Sequence, residues 1–305
     1  MTKNLKELYK FLSGHPDINL STDEPMSKHT SFKVGGPATL FCELKTTNVI
    51  EKAIGKAREL GIEPVILGNG SNLLVDDAGI PGAVYKIVNN NWYLNDNIIV
   101  ADAGLTLAKV TTTARRTGLT GFEFAAGIPG TIGGAVHMNA GAYDGEMSKI
   151  VKNVKYLNRD GLMGTLSGED LEFGYRESYF KNNPDCVILS ATIELGYGDP
   201  DAIKEKMDEF SRRRREKQPV EYPSAGSVFK RPKGYFAGAL IEQSGLKGYT
   251  VGGAQVSEKH AGFIVNRGGA TCSDVRKIVD HIKETVLKDH GVELECEVLF
   301  APNDK

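Results

Sequence analysis

One segment constrains this chain more than any other. From Gly121 to Ala142 nearly every residue is small and charge is almost absent, with glycines at 127, 130, 133, 134 and 141. Glycine turns readily with φ > 0 and, having no Cβ, lets a neighbour or ligand approach the backbone. Successive N–H groups in such a turn form a concave nest suited to phosphate oxygens. Pro129-Gly130 marks a turn, and 131–140 follows as a short helix or strand beneath it. Two readings stay open on these residues alone: a phosphate or cofactor cradle, or a tight Gly/Ala crossing inside an α/β core. The dinucleotide fingerprint is excluded, because no Gly-x-Gly-x-x-Gly here opens a helix after a strand.

A second segment weighs on that choice. Pro64-Val65-Ile66-Leu67 reads as a strand, Gly68-Asn69-Gly70-Ser71-Asn72 as a polar turn, and Leu73-Leu74-Val75 as another strand. The turn offers amide N–H groups, the Ser71 hydroxyl and two side-chain amides, all uncharged, which suits a diphosphate. By itself such a turn is ordinary. With a third glycine loop at Thr30–Ala38, coincidence is the poorer account.

These loops are similar to those of FAD enzymes with the vanillyl-alcohol-oxidase (PCMH-type) flavin domain, and their wording resembles that of the UDP-N-acetylenolpyruvoylglucosamine reductase family. The resemblance runs from about Thr30 to about Phe300. It implies an α+β fold: a helix and lead-in over 1–29, a two-part FAD-binding domain over 30–198 that divides near 90–100, and a smaller α+β substrate-binding domain over 199–305. It implies FAD, held non-covalently, and NADPH. It places the flavin on Val65, Leu67, Gly68, Asn69, Gly70, Ser71 and Asn72, and on Ala125, Gly127, Ile128, Pro129, Gly130, Gly133, Gly134, Ala135, Asn139 and Gly141. Some relatives in the wider superfamily attach flavin to a histidine, but nothing local marks His137 for that.

Composition narrows the partners. In 305 residues, 40% hydrophobic content and a net charge of −2 give no reason to expect nucleic acid or anionic lipid. The run Arg212-Arg213-Arg214-Arg215 distributes its charges around a helix, so it forms no flat basic patch. No apolar run approaches a membrane span, and the N-terminus lacks a signal-peptide core. The four cysteines, Cys42, Cys186, Cys272 and Cys296, show no Cys-x-x-Cys pairing. A cytoplasmic protein with buried thiols and no metal site is the expectation; the oligomeric state stays open.

Periodicity predicts helices over 2–13, 47–60, 106–118, 168–172, 200–217, 236–243 and 273–289. Strands are expected at 32–44, 64–67, 83–88, 97–102, 151–157, 162–166, 186–197, 226–230, 261–265 and 292–300, with 15–30 irregular. The helix at 200–217 is the best candidate for a domain boundary.

Three residues carry the chemistry that the resemblance implies. Phe173-Gly174-Tyr175-Arg176-Glu177-Ser178 presents an arginine, whose two-pronged guanidinium suits a carboxylate. Surface pairing with Glu172 or Glu177 is its bland reading, while the resemblance makes Arg176 catalytic and Tyr175 a substrate contact. In Ala225-Gly226-Ser227-Val228-Phe229-Lys230, the glycine needed at 229 for a hydrolase elbow is missing. A strand-edge serine is the bland reading there; by resemblance Ser227 is the proton donor. Val292–Phe300 alternates apolar and acidic residues, as a half-buried strand with a solvated face does. By resemblance Glu297 in that run is catalytic. Lys217, Lys230, Gln255 and Asn266 become substrate-side candidates on the same ground. Two positions depart from the family pattern: Arg231 stands where the family usually has Asn before Pro232, and Leu299 where it often has a polar residue. The substrate implied is UDP-N-acetylenolpyruvoylglucosamine. The short C-terminal portion points to the type without an inserted lid. A different flavin oxidoreductase on the same fold, or a non-catalytic nucleotide-sugar sensor, are the rival readings.

Overall fold

Two hydrophobic cores form from interleaved segments of the chain. The computed structural model describes residues 1–302. One unit gathers residues 1–21, 40–69 and 82–213, and the other gathers 22–39, 70–81 and 214–305. Among the described residues, no helix is long and apolar enough to cross a membrane.

In the first unit, helix α1 (Lys3–Leu12) buries Leu5, Leu8 and Leu12, and Thr2 caps it by accepting from the Leu5 amide. Helix α2 (Thr47–Glu59) repeats the device, with Thr46 as cap and Val49, Ile50, Ala53, Ile54 and Ala57 buried. A sheet takes the strands Ile18–Pro25, Pro37–Leu44, Ile80–Ile87 and Val65–Leu67 in that order, the last two parallel. A five-stranded antiparallel sheet orders Met163–Ser167, Val151–Leu157, Val187–Glu194, Ile98–Asp102 and Trp92–Asn95. Helices α3 (Leu107–Arg116), α4 (Ile132–His137), α5 (Tyr179–Asn182) and α6 (Pro200–Lys217) complete the set. Glu123, the one charge in the glycine-rich segment, is buried; its carboxylate accepts from the Thr120 hydroxyl and the Gly121 amide.

The second unit packs Phe32, Leu74, Val228, Phe229, Ile264 and Ile282 around helices α7 (Ala237–Gln243) and α8 (Cys272–His290). Its small sheet runs Thr250–Val251, Ala254–Val256, Ile264–Asn266. Leu299–Ala301 lies parallel to Leu73–Val75, in register from Leu299 opposite Leu73.

The mixed helix-and-strand class is as the sequence implies, and four local expectations need correction. Ile18–Pro25 is a strand, not irregular, because Ile18 and Leu20 pack on the first core. Trp92–Asn95 is an edge strand hidden among asparagines. The strands expected at 226–230 and 292–300 reduce to isolated bridges, Ser227 with Phe263 and Phe229 with Cys296, plus the short strand Leu299–Ala301. The reason is shared pairing: Val228 donates to Gly262, Lys230 donates to Glu295, and Glu297 donates to Val228, so no single neighbour runs a continuous ladder.

Helix α8 starts on two carboxylates. Asp274 completes a capping box with Thr271, and Asp77 accepts from the amides of Cys272 (2.7 Å) and Ser273 (2.9 Å). First-turn amides have no intrahelical acceptor and attract negative charge. Asp77→Ala should therefore lower the unfolding free energy by about 1–2 kcal/mol. A urea denaturation midpoint equal to that of the parent protein would refute this role.

Candidate active site

The two glycine-rich turns of the first unit lie against each other. A Cβ built on Gly68 would stand 2.6 Å from the Thr131 Oγ1, closer than any side chain tolerates. Thr131 is itself fixed, since it caps α4 by accepting from the Gly134 amide at 3.4 Å. Gly127 holds φ at 79°, which turns the chain between Ala125 and the Pro129-Gly130 pair. Among the described residues, no protein acceptor takes the amides of Gly68, Asn69, Gly127, Gly130 and Thr131. Amide donors left without a protein acceptor on adjacent glycine-rich turns are groups of the kind that bind an anion. The remaining turn residues, Gly70 and Ser71, belong to the second unit, where Ser31 donates to the Gly70 carbonyl and Asn72 donates to the Glu297 carbonyl.

Not every residue assigned to the cradle points its chemistry outward. Val65 and Leu67 supply the strand that leads in, and Ala125 and Ala135 are buried packing. Gly133 packs on Ala103, which a Cβ would meet at 2.9 Å, and Gly141 lies against the Gly145 carbonyl. Ile128 is half-buried, while Pro129 and Gly134 are exposed. Asn139 is buried with φ at 40°, and its amide is engaged by protein: it donates to the Gly174 carbonyl at 2.9 Å and accepts from the Ser148 amide at 2.9 Å.

Arg176 sits in the turn next to that amide. It adopts φ of 58°, unusual for a residue with a side chain, inside a tight bridge between Gly174 and Glu177. Its guanidinium lies 5.1 Å from the exposed Tyr175 ring and donates to the Gly141 carbonyl at 3.3 Å. Lys181 donates to the Arg176 carbonyl at 2.8 Å, and Ser178 donates to the His137 carbonyl at 2.7 Å.

In the second unit the structure brings Ser227 and Glu297 together. Glu297 donates its amide to Val228, one residue from Ser227, at 2.8 Å. Gly226 turns the chain into Ser227 with φ of 79°. Gly262 leaves room beside the serine, since a Cβ there would lie 3.3 Å from its Oγ. The alternating run at 293–297 does not present one solvated face: Glu293 and Glu295 are exposed and Glu297 is half-buried. Lys230 pairs with Glu295. Gln255 donates to the Gly248 carbonyl and to Thr250, and Asn266 is buried, donating to Phe32 and accepting from Gly268 and Ala270. Both amides are thus employed in holding loops. Lys217 is exposed at the end of α6. Among the described residues, no cluster of His, Cys, Asp and Glu is arranged to hold a metal ion.

Sequence reasoning missed Thr131 and Lys181. A Thr three residues before Gly134 is a capping signal, so Thr131 was findable. Lys181 shows in the sequence only as the i,i+4 partner of Glu177, while its donation to the Arg176 carbonyl carries no such mark.

Two family models match successive parts of the chain. Residues 38–167 match the family model for an FAD binding domain, and 218–301 match the one for the UDP-N-acetylenolpyruvoylglucosamine reductase C-terminal domain. The unpaired amides around Gly68 and Gly127 are what a flavin dinucleotide's diphosphate requires, so the residues fit that cofactor. The fold is that of an FAD-dependent oxidoreductase. UDP-N-acetylenolpyruvoylglucosamine reductase of Pediococcus pentosaceus is 49% identical over 291 residues, 95% of this chain and 97% of that one. The enzyme of the same name from Clostridium perfringens is 46% identical over 300 residues, 98% of each chain. The crystal structure of the UDP-N-acetylenolpyruvylglucosamine reductase from Thermus caldophilus superposes with a TM-score of 0.80 at 34% identity, over 93% of this chain and 99% of that one. The chain belongs to the UDP-N-acetylenolpyruvoylglucosamine reductase family.

Two tests follow from this site. Gly68→Ala drives a methyl onto the Thr131 hydroxyl and should weaken FAD about tenfold in equilibrium titration, roughly 1.4 kcal/mol; unchanged affinity would place the cofactor elsewhere. His137, at the end of α4, has its pKa pushed down to about 4, first by burial and then by the Lys181 charge, with Glu177 opposing. A base whose folded pKa is depressed binds fewer protons folded than unfolded, so its contribution is complete above about pH 6.5 and shrinks as pH falls toward 4. The melting temperature should fall over that window, and His137→Gln should flatten the fall; identical profiles would contradict the assignment.

Proposed function

We propose that this protein catalyses the NADPH-dependent reduction of the enolpyruvyl group of UDP-N-acetylenolpyruvoylglucosamine, giving UDP-N-acetylmuramate, a peptidoglycan precursor, in the cytoplasm. The observation that carries the reading is the near-complete alignment with reductases of that name, 46–49% identical over 94–98% of the chain. When bound, FAD supplies the hydride that adds to the terminal carbon of the double bond, having been reduced by NADPH.

The residues have separate tasks. The cradle amides hold the cofactor diphosphate without a covalent bond and without a neutralising charge. Arg176 meets the substrate carboxylate, into which negative charge spreads as the double bond is reduced, and so favours the transition state over the ground state. Ser227 gives its proton to the carbon next to that carboxylate. Its hydroxyl is a weak acid, but the carbon centre that accepts the proton is far more basic. Glu297, half-buried and bonded through its amide to the residue after the serine, assists that proton transfer. Tyr175 and Lys217 lie on exposed surface where a large nucleotide sugar is accessible to them. Lys230, Gln255 and Asn266 support the substrate side at one remove: the first pairs with Glu295 and the other two order the loops around 250 and 268.

Ser227→Ala separates the two half-reactions. Anaerobic NADPH should bleach its flavin at the parent rate, while reoxidation by UDP-N-acetylenolpyruvoylglucosamine should slow by ~10²–10⁴-fold. Reoxidation at the normal rate would remove Ser227 from the chemistry, and a yellow parent protein that this substrate never reoxidises would sink the function.

A further inference from the structure

Arg176 occupies a backbone conformation that its residue type disfavours, and its surroundings hold it there. The turn is closed by Gly174 and Glu177, each donating its amide to the other's carbonyl at 3.1 and 3.2 Å. From one side, the Lys181 ammonium donates to the Arg176 carbonyl at 2.8 Å and to the Glu177 carboxylate at 2.9 Å, with little of its side chain exposed. From the other, the Asn139 amide donates to Gly174 and accepts from Ser148. Asn139 thereby ties the turn to the loop that follows α4. The guanidinium completes the circuit by donating to Gly141 in that same loop. A left-handed arginine in a four-residue turn would relax toward ordinary φ without such restraints. Relaxation would swing its side chain away from Gly141.

We propose that Lys181 and Asn139 are positioning residues for the reduction: together they lock Arg176 in its left-handed conformation and tie it to the glycine-rich loop, so that the guanidinium is preorganised for the substrate carboxylate. The proposal rests on the role given above to Arg176. Neither residue acts on substrate itself. Lys181 works through a backbone carbonyl, and Asn139 through the carbonyl two residues before the arginine. The arrangement also gives Asn139 a task other than direct contact with the flavin.

The test is anaerobic stopped-flow on the FAD-loaded protein, with FAD affinity and melting temperature read alongside. Lys181→Met keeps the aliphatic stem and removes the donors. Reoxidation by UDP-N-acetylenolpyruvoylglucosamine should slow by roughly 10- to 100-fold, the scale of a small misplacement of a catalytic group. Flavin reduction by NADPH and FAD affinity should stay near the parent values, and Lys181→Arg should recover most of the loss. Asn139→Asp keeps the acceptor for Ser148, tolerates the positive φ, and turns the donor to Gly174 into a repelling oxygen; it should give the same pattern. In an Arg176→Ala background neither change should slow reoxidation further, since residues acting through one another are not additive. Equal slowing in both backgrounds, or a loss of FAD affinity that accounts for the effect, would overturn the proposal. Normal reoxidation by Arg176→Ala alone would overturn it together with the role of Arg176, an outcome distinct from a slow Arg176→Ala that Lys181→Met still slows further.

Discussion

A backbone amide must find an acceptor, and in the first unit several of them find none among the described residues. The structure around Gly68 and Gly127 is arranged about that deficit. The strand Val65–Leu67 ends where its ladder partner would otherwise take the next donors, and α4 begins only at Ile132. Thr131 stands between, capping the helix and closing against Gly68. Gly68 must lack a Cβ at that contact, because one there would stand 2.6 Å from the Thr131 Oγ1. Asn69 and Gly127 are exposed, so their amides are open to solvent, while Thr131 is buried.

The one carboxylate of the glycine-rich segment is buried. This residue, Glu123, is turned inward and satisfied by Thr120 and Gly121, with Lys206 at 3.9 Å. The residues proposed for the chemistry stand on other segments: Arg176 on its own braced turn, and Glu297 on a segment whose amide donates to Val228, the residue after Ser227.

Much of this was legible in the sequence, for reasons that differ by element. Helices with an apolar stripe and a Thr cap, such as α2 and α3, read directly, since period and cap agree. The glycine turns read as a possible cradle because glycine spacing is itself the mechanism. Strands failed where partners alternate: Val292–Phe300 has a strand's pattern, yet its residues pair by turns with Val228, Phe229, Lys230 and Asn72. Ile18–Pro25 failed in the opposite direction, because its strand character comes from packing on a distant core. The roles of Arg176, Ser227 and Glu297 came from resemblance; each had a bland local reading that residue chemistry alone would not displace.

What no pattern reveals is which polar side chains serve the ligand and which serve the loop that meets it. Asn139, Gln255 and Asn266 all stand in segments that contact-by-resemblance would assign to ligands, and all three have their amides engaged by backbone groups. An amide side chain suits this work because one planar group donates and accepts at once, holding two strands of chain at a fixed separation. Asn139 also tolerates the left-handed backbone that its turn demands, which most residues do not. A sequence position can therefore belong to a binding motif for the sake of the loop's shape. The atoms left to the ligand are then the backbone amides that no side chain identity encodes.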